Sequence, residues 1–195
     1  MKIKKFTFLC GEFIYTMSIK SLAVFCGSKN GSNPLFIQHA VELGKLLAQN
    51  NITLIYGGAN IGIMGAIADS TMNNGGKVVG IIPKVLVDWE RKHEEITELI
   101  VTEDMHDRKK IIYERSDAVL VLPGGFGTLD ELFETITWNQ LSIHEKHVFI
   151  LNSGGFYTHL IRHIEQMKQE HFLYGEAIKR ITVLDDPAEL VAYIK

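Results

Sequence analysis

"VLVLPGGFGTLDELFE", Val119 to Glu134, ends an apolar strand in Pro-Gly-Gly and opens an acidic helix after Phe-Gly-Thr. An unbroken apolar run suits a strand covered on both faces. The turn that follows is either ordinary punctuation or a cradle for an anion. A helix N-terminus offers free N–H groups and the positive end of the helix dipole.

The same unit repeats on either side of this stretch. Residues 21–27 (SLAVFCG), 52–58 (ITLIYGG) and 77–83 (KVVGIIP) read as apolar strands, as do 97–103 (TELIVTE), 117–123 (DAVLVLP), 147–152 (HVFILN) and 180–185 (RITVLD). Helix-length segments separate them. Asn33-Pro34 caps one that carries Leu35, His39, Leu43, Leu46 and Leu47 at helical spacing. Further helices are expected over 63–73, 104–115, 128–141 and 155–170, with a terminal helix opened by Pro187. Strands alternating with helices, without linker or repeat, predict an α/β fold. It is a single doubly wound, Rossmann-like domain with a mostly parallel sheet and helices on both faces. The domain is expected over 17–195, with 1–16 a loose extension. Residues 1–16 begin basic and then apolar, but Gly11 and Glu12 interrupt the run and no small-residue cleavage site follows.

The bulk properties narrow the partners. The 195 residues are 46% hydrophobic and 22% charged, with a net charge of −3. That balance gives no electrostatic reason to expect nucleic acid or an anionic membrane. No apolar run is long enough to span a bilayer. Two unclustered cysteines, Cys10 and Cys26, fit a reducing, cytoplasmic setting.

Ligands of such folds sit at the carboxyl ends of the strands, and that edge holds Gly27, Gly57-Gly58 and Gly124-Gly125. The dinucleotide fingerprint is not met: Gly58, Gly62 and Gly65 have other spacing, and the next strand ends Ile81-Ile82-Pro83 without a ribose-binding carboxylate. The Walker pattern is missing too. Thr128 to Glu131 fits a capping box, which would place Thr128 at the N-cap of its helix. A cap alone does not account for the glycines before it. In "EDMHDRKK", Glu103 to Lys110, Asp104 is a fitting N-cap, yet Arg108, Lys109 and Lys110 crowd the start of the helix against its dipole. A bound anion would reverse that sign, and arginine grips phosphate or carboxylate bidentately. The alternative is a solvated basic face.

Together, Met105-His106-Asp107-Arg108-Lys109 and Pro123-Gly124-Gly125-Phe126-Gly127-Thr128-Leu129-Asp130-Glu131 resemble the two signatures of the Lonely Guy family. These are cytokinin riboside 5′-monophosphate phosphoribohydrolases, long labelled lysine decarboxylases. "CGS" at 26–28, "YGG" at 56–58, "GIMG" at 62–65 and "ITWNQLSIH" at 136–144 strengthen the likeness, which covers about residues 20–195. Ala59, Phe126 and Asp130 depart mildly from the family pattern.

The resemblance implies hydrolysis of the N-glycosidic bond of a purine nucleoside 5′-monophosphate, to free base and ribose 5-phosphate. It implies Glu131 beside the anomeric carbon and Arg108 as its catalytic companion. It implies substrate contacts from Ser28, Gly58, Glu90, Met105, Lys109, Gly124, Gly125, Gly127, Thr128 and Thr137, no cofactor or metal, and a homodimer or higher oligomer. His159 and His163 are four apart on a helix, but no further ligand set completes a metal site. Trp89 and Trp138 could line a base pocket or fill a core. Two other readings compete. A nucleotide or molybdenum-cofactor carrier on the same fold would keep the glycine cradle without needing Arg108 beside Glu131. Amino-acid decarboxylation would need a pyridoxal-phosphate lysine.

Overall fold

In a computed structural model, residues 18–87 and 92–194 are described. The expectations for 1–16, for Trp89 and for Glu90 lie outside these residues. Seven strands form one sheet: β1 (Ser21–Phe25), β2 (Thr53–Tyr56), β3 (Val78–Pro83), β4 (Glu98–Thr102), β5 (Ala118–Val121), β6 (His147–Leu151) and β7 (Ile181–Leu184). Their order is β4-β3-β2-β1-β5-β6-β7, and every neighbouring pair is parallel. The expected "mostly parallel" sheet is thus parallel throughout its named strands.

The helices are α1 (Leu35–Gln49), α2 (Gly62–Asn73), the one-turn α3 (Lys84–Val87), α4 (Met105–Arg115), α5 (Phe126–Gln140), α6 (Thr158–Gln169) and the one-turn α7 (Gly175–Ile178). Alternate residues of each strand point to opposite faces, and the core divides accordingly. Leu22, Val24, Leu54, Leu120 and Phe149 pack with Leu43, Leu47, Ile63 and Ile67 of α1 and α2. Ala23, Ile55, Ile81, Val119, Val121 and Ile150 pack with Ile112, Leu132 and Ile161 of α4, α5 and α6. Full burial of a Leu or Ile contributes about 1.5–3 kcal/mol, so both faces of the central strands hold the sheet in register. The open ends of β1 and β5 are tied together by Asp117, whose Oδ2 accepts from the backbone N–H of Lys20 (2.8 Å) and Ser21 (2.9 Å).

Three expected helices differ. The helix expected over 155–170 starts later, as α6 at Thr158, after a 3-10 turn, Ser153–Gly155, in which Gly154 and Gly155 take φ of 58° and 79°. The terminal helix is a 3-10 helix, Pro187–Tyr193, N-capped by Asp186. The third is α5, whose earlier start shapes the site.

Candidate active site

The chain leaves β1 towards β2, while β5 lies on the other side of β1. The two loops that follow β1 and β5 therefore diverge, which opens the crevice where ligands bind in such sheets. At their roots the loops touch. Gly27 N–H donates to Pro123 O (3.0 Å). A Cβ on Gly124 would lie 2.9 Å from Gly27 N and 2.7 Å from Thr128 Cβ, so only glycine fits there. The crevice encloses about 530 Å³.

One wall is the start of α5. The helix begins at Phe126 with Gly125 as N-cap, and no side chain caps it. The capping box expected at Thr128 is not formed, because Thr128 is already the third residue of the helix. First-turn amides have no acceptor within their own helix, so those of Phe126, Gly127 and Thr128 stand at the crevice with the positive dipole end behind them. Gly124, Gly125, Gly127 and Thr128 all line the cavity.

The other wall comes from α4. Asp104 caps it as expected, its Oδ1 accepting from His106 N (2.8 Å) and Asp107 N (2.9 Å). One turn on, Arg108 is buried, and its Nε donates to Ile81 O (3.0 Å). Its Nη1 lies 3.5 Å from Glu131 Oε1, across the floor of the cavity. Burial above all pushes the Glu131 carboxyl up to about 7; Arg108 and then Lys109 offset part of that rise. The site thus holds a carboxyl that titrates near neutrality, an arginine against it, and open amides within the same cavity. That arrangement can seat a phosphate and set a carboxylate beside a developing cation.

Ser28 and Met105 line the cavity with these groups. Lys109 does not: it turns aside to Asp130 (2.7 Å) and Glu134 (3.3 Å). Thr137 is exposed on α5, away from the lining. Gly58, at φ 82°, serves its turn, and its carbonyl accepts from His93 N (2.9 Å). Gly57 lines the cavity instead; a Cβ there would lie 2.5 Å from Arg108 Nη2. A doubled glycine does not disclose in sequence which of the two faces the cavity. Phe36 and Phe156, edge to face at 5.4 Å, also line it, as does Phe126, which is 93% exposed at the rim. No spacing in the sequence marks these aromatics. Trp138 packs on Tyr113 (4.7 Å) and lies outside the lining.

A ring nitrogen of His39 and carboxylate oxygens of Glu42 and Asp186 lie within 4.8 Å of one another and could hold a metal ion; none of the three lines the cavity. His159 and His163 join no such group among the described residues. No helix among those residues is long and apolar enough to cross a membrane.

The family model described as "Possible lysine decarboxylase" matches residues 64–194. A "Probable cytokinin riboside 5'-monophosphate phosphoribohydrolase" of Oryza sativa subsp. japonica is 41% identical over 172 residues, 88% of this chain and 70% of the relative. A cytokinin riboside 5'-monophosphate phosphoribohydrolase of Arabidopsis thaliana is 41% identical over 93% of this chain and 84% of its own. One of Rhodococcoides fascians is 38% identical over 90% and 89%. Among solved structures, the molybdenum cofactor carrier protein of Chlamydomonas reinhardtii matches with a TM-score of 0.67 at 21% identity, over 88% of this chain and 93% of that one. Likeness at that identity speaks for the fold alone.

Proposed function

The chain belongs to the family of cytokinin riboside 5'-monophosphate phosphoribohydrolases, whose family model carries the older lysine decarboxylase description, and from that premise we propose that it hydrolyses the N-glycosidic bond of a purine nucleoside 5′-monophosphate. The products are the free base and ribose 5-phosphate. The observation that carries this reading is Glu131 Oε1 held 3.5 Å from Arg108 Nη1 in the crevice that also receives the open end of α5.

Cleavage builds positive charge on the ribose as the base departs. An ionised Glu131 beside the anomeric carbon stabilises that charge and orients or deprotonates the attacking water. Arg108 keeps a useful fraction of Glu131 ionised despite burial and can contact the nucleotide or the departing base. The amides of Gly125, Gly127 and Thr128, with the Thr128 hydroxyl, receive the 5′-phosphate. The reaction consumes water and needs no cofactor. The carrier reading draws only on fold likeness below 25% identity, whereas the relatives near 40% identity are named as hydrolases.

The reading extends to a cytoplasmic homodimer or higher oligomer. The exposed apolar side chains of Phe133, Leu141 and Ile143, on and just after α5, suit a second copy of the chain. Contact between Thr137 and substrate would then require that copy. Light scattering on the wild type and on Phe133→Asp tests this; a monomeric wild type would refute it.

The deciding experiment incubates the protein with AMP and with isopentenyladenosine monophosphate and follows free base. Tight binding of either nucleotide without base release would favour the carrier. Carbon dioxide released from lysine in a pyridoxal-phosphate-dependent way would favour decarboxylation.

A further inference from the structure

We propose that Lys29 is the cation that pairs with the 5′-phosphate of the substrate; this rests on the nucleotide-hydrolase reading above. A phosphate monoester carries about −1.5 to −2 charges near pH 7. The α5 N-terminus supplies about half a positive charge. The carboxyls of Asp130 and Glu131 also line the cavity and already occupy Lys109 and Arg108, so a dianion entering it needs a further positive group.

Among the described residues, two basic side chains line the cavity, Lys29 and Arg108. Arg108 is committed to Ile81 O and Glu131. Lys109 is committed to Asp130 and Glu134, outside the lining. Lys29 has neither a salt bridge nor a side-chain hydrogen bond to any of the described residues.

The backbone at Lys29 is also set in place from two sides. It follows Gly27, whose N–H is bonded to Pro123 O of the turn that opens α5. A Cβ on Gly62, the first residue of α2, would come within 2.6 Å of Lys29 N, so α2 abuts the loop there. The root of the side chain is therefore fixed against the start of α2 at the cavity wall, while the exposed side chain is left to meet a ligand.

The test titrates the full chain, Lys29→Gln and Lys29→Arg with ribose 5-phosphate and with adenosine, at low and raised salt. Loss of one partly solvated charge contact should weaken ribose 5-phosphate about fivefold in Lys29→Gln. Lys29→Arg should stay within about twofold of wild type, and the deficit should shrink as salt screens the charge. Adenosine, without phosphate, should bind all three alike. An unchanged ribose 5-phosphate affinity in Lys29→Gln would overturn the proposal. So would an equal loss for adenosine, or a wild type that binds no ribose 5-phosphate. Base release from AMP by the wild type decides the hydrolase reading separately.

Discussion

Near neutral pH, Glu131 sits at the boundary between its two protonation states. Burial lifts its carboxyl from 4.5 to about 7, with Arg108 the largest opposing influence. If the ionised form assists the reaction, kcat/KM should climb as pH passes through about 7, far above the range of an ordinary carboxylate. Replacing Arg108 by Gln removes that opposing charge, so the acid limb should move to higher pH. A limb that stays in place would show that the two groups are not coupled. Glu131→Gln should lower kcat by about 10²–10⁴-fold with an unchanged circular dichroism spectrum; near-normal turnover would remove Glu131 from the chemistry. Gly57→Ala puts a methyl 2.5 Å from Arg108 Nη2, which must then shift. A displacement of about 1 Å at a catalytic group can cost about 100-fold, and base-release kinetics would read that loss. Arg108 and Glu131 were legible because each sits in a dense motif. Gly57 was not, because its role depends on a guanidinium that arrives from 51 positions later in the chain.

At the scale of elements, α4 and α5 act as a clamp. Lys109 of α4 grips Asp130 and Glu134, and the Tyr113 hydroxyl lies 3.2 Å from Glu131 O and 2.9 Å from Thr135 Oγ1. Arg108 and Glu131 thus face each other because their helices are fastened above and below them. Tyr113→Phe removes one fastening and keeps the ring. Loss of that hydroxyl's hydrogen bonding suggests a fall in kcat of about three- to tenfold with little change in KM. A change confined to KM would place Tyr113 in binding instead. Sequence reading located both helices but started α5 two residues late. The T-x-x-E pattern is a strong local signal for a cap, yet here the backbone turns helical at Phe126 and Glu131 faces Arg108. The helix already starts two residues upstream of Thr128, with Gly125 as N-cap, which the T-x-x-E spacing does not disclose. The ion pairs of Lys109 are hidden from local spacing as well: its partners lie on another helix.

Across the whole molecule, strand order and layers were the most legible features. Seven apolar runs separated by helical spacing allow few arrangements other than a doubly wound sheet. The terminal 3-10 helix was less legible, since a Pro-led seven-residue segment suits either helix type. Stability should carry a distinct acid signature. His147, at the start of β6, is held down from 6.5 to about 4 by burial and then by Arg180. Between those values the unfolded chain binds more protons, so stability should fall as pH drops from about 6.5 to about 4, by about 3 kcal/mol in full. Glu131 slopes the other way between about 4.5 and 7, so the comparison needs a variant. Melting temperature over that range should fall less for His147→Gln than for wild type; parallel curves would refute the assignment. The central position of β1 has a last consequence. Lys20, at its threshold, waits for Asp117, 97 residues further on. While the ribosome is still making the intervening chain, one margin of that strand has no mate. Messages broken before β5 should therefore yield material that clumps or recruits chaperones, not a smaller working enzyme.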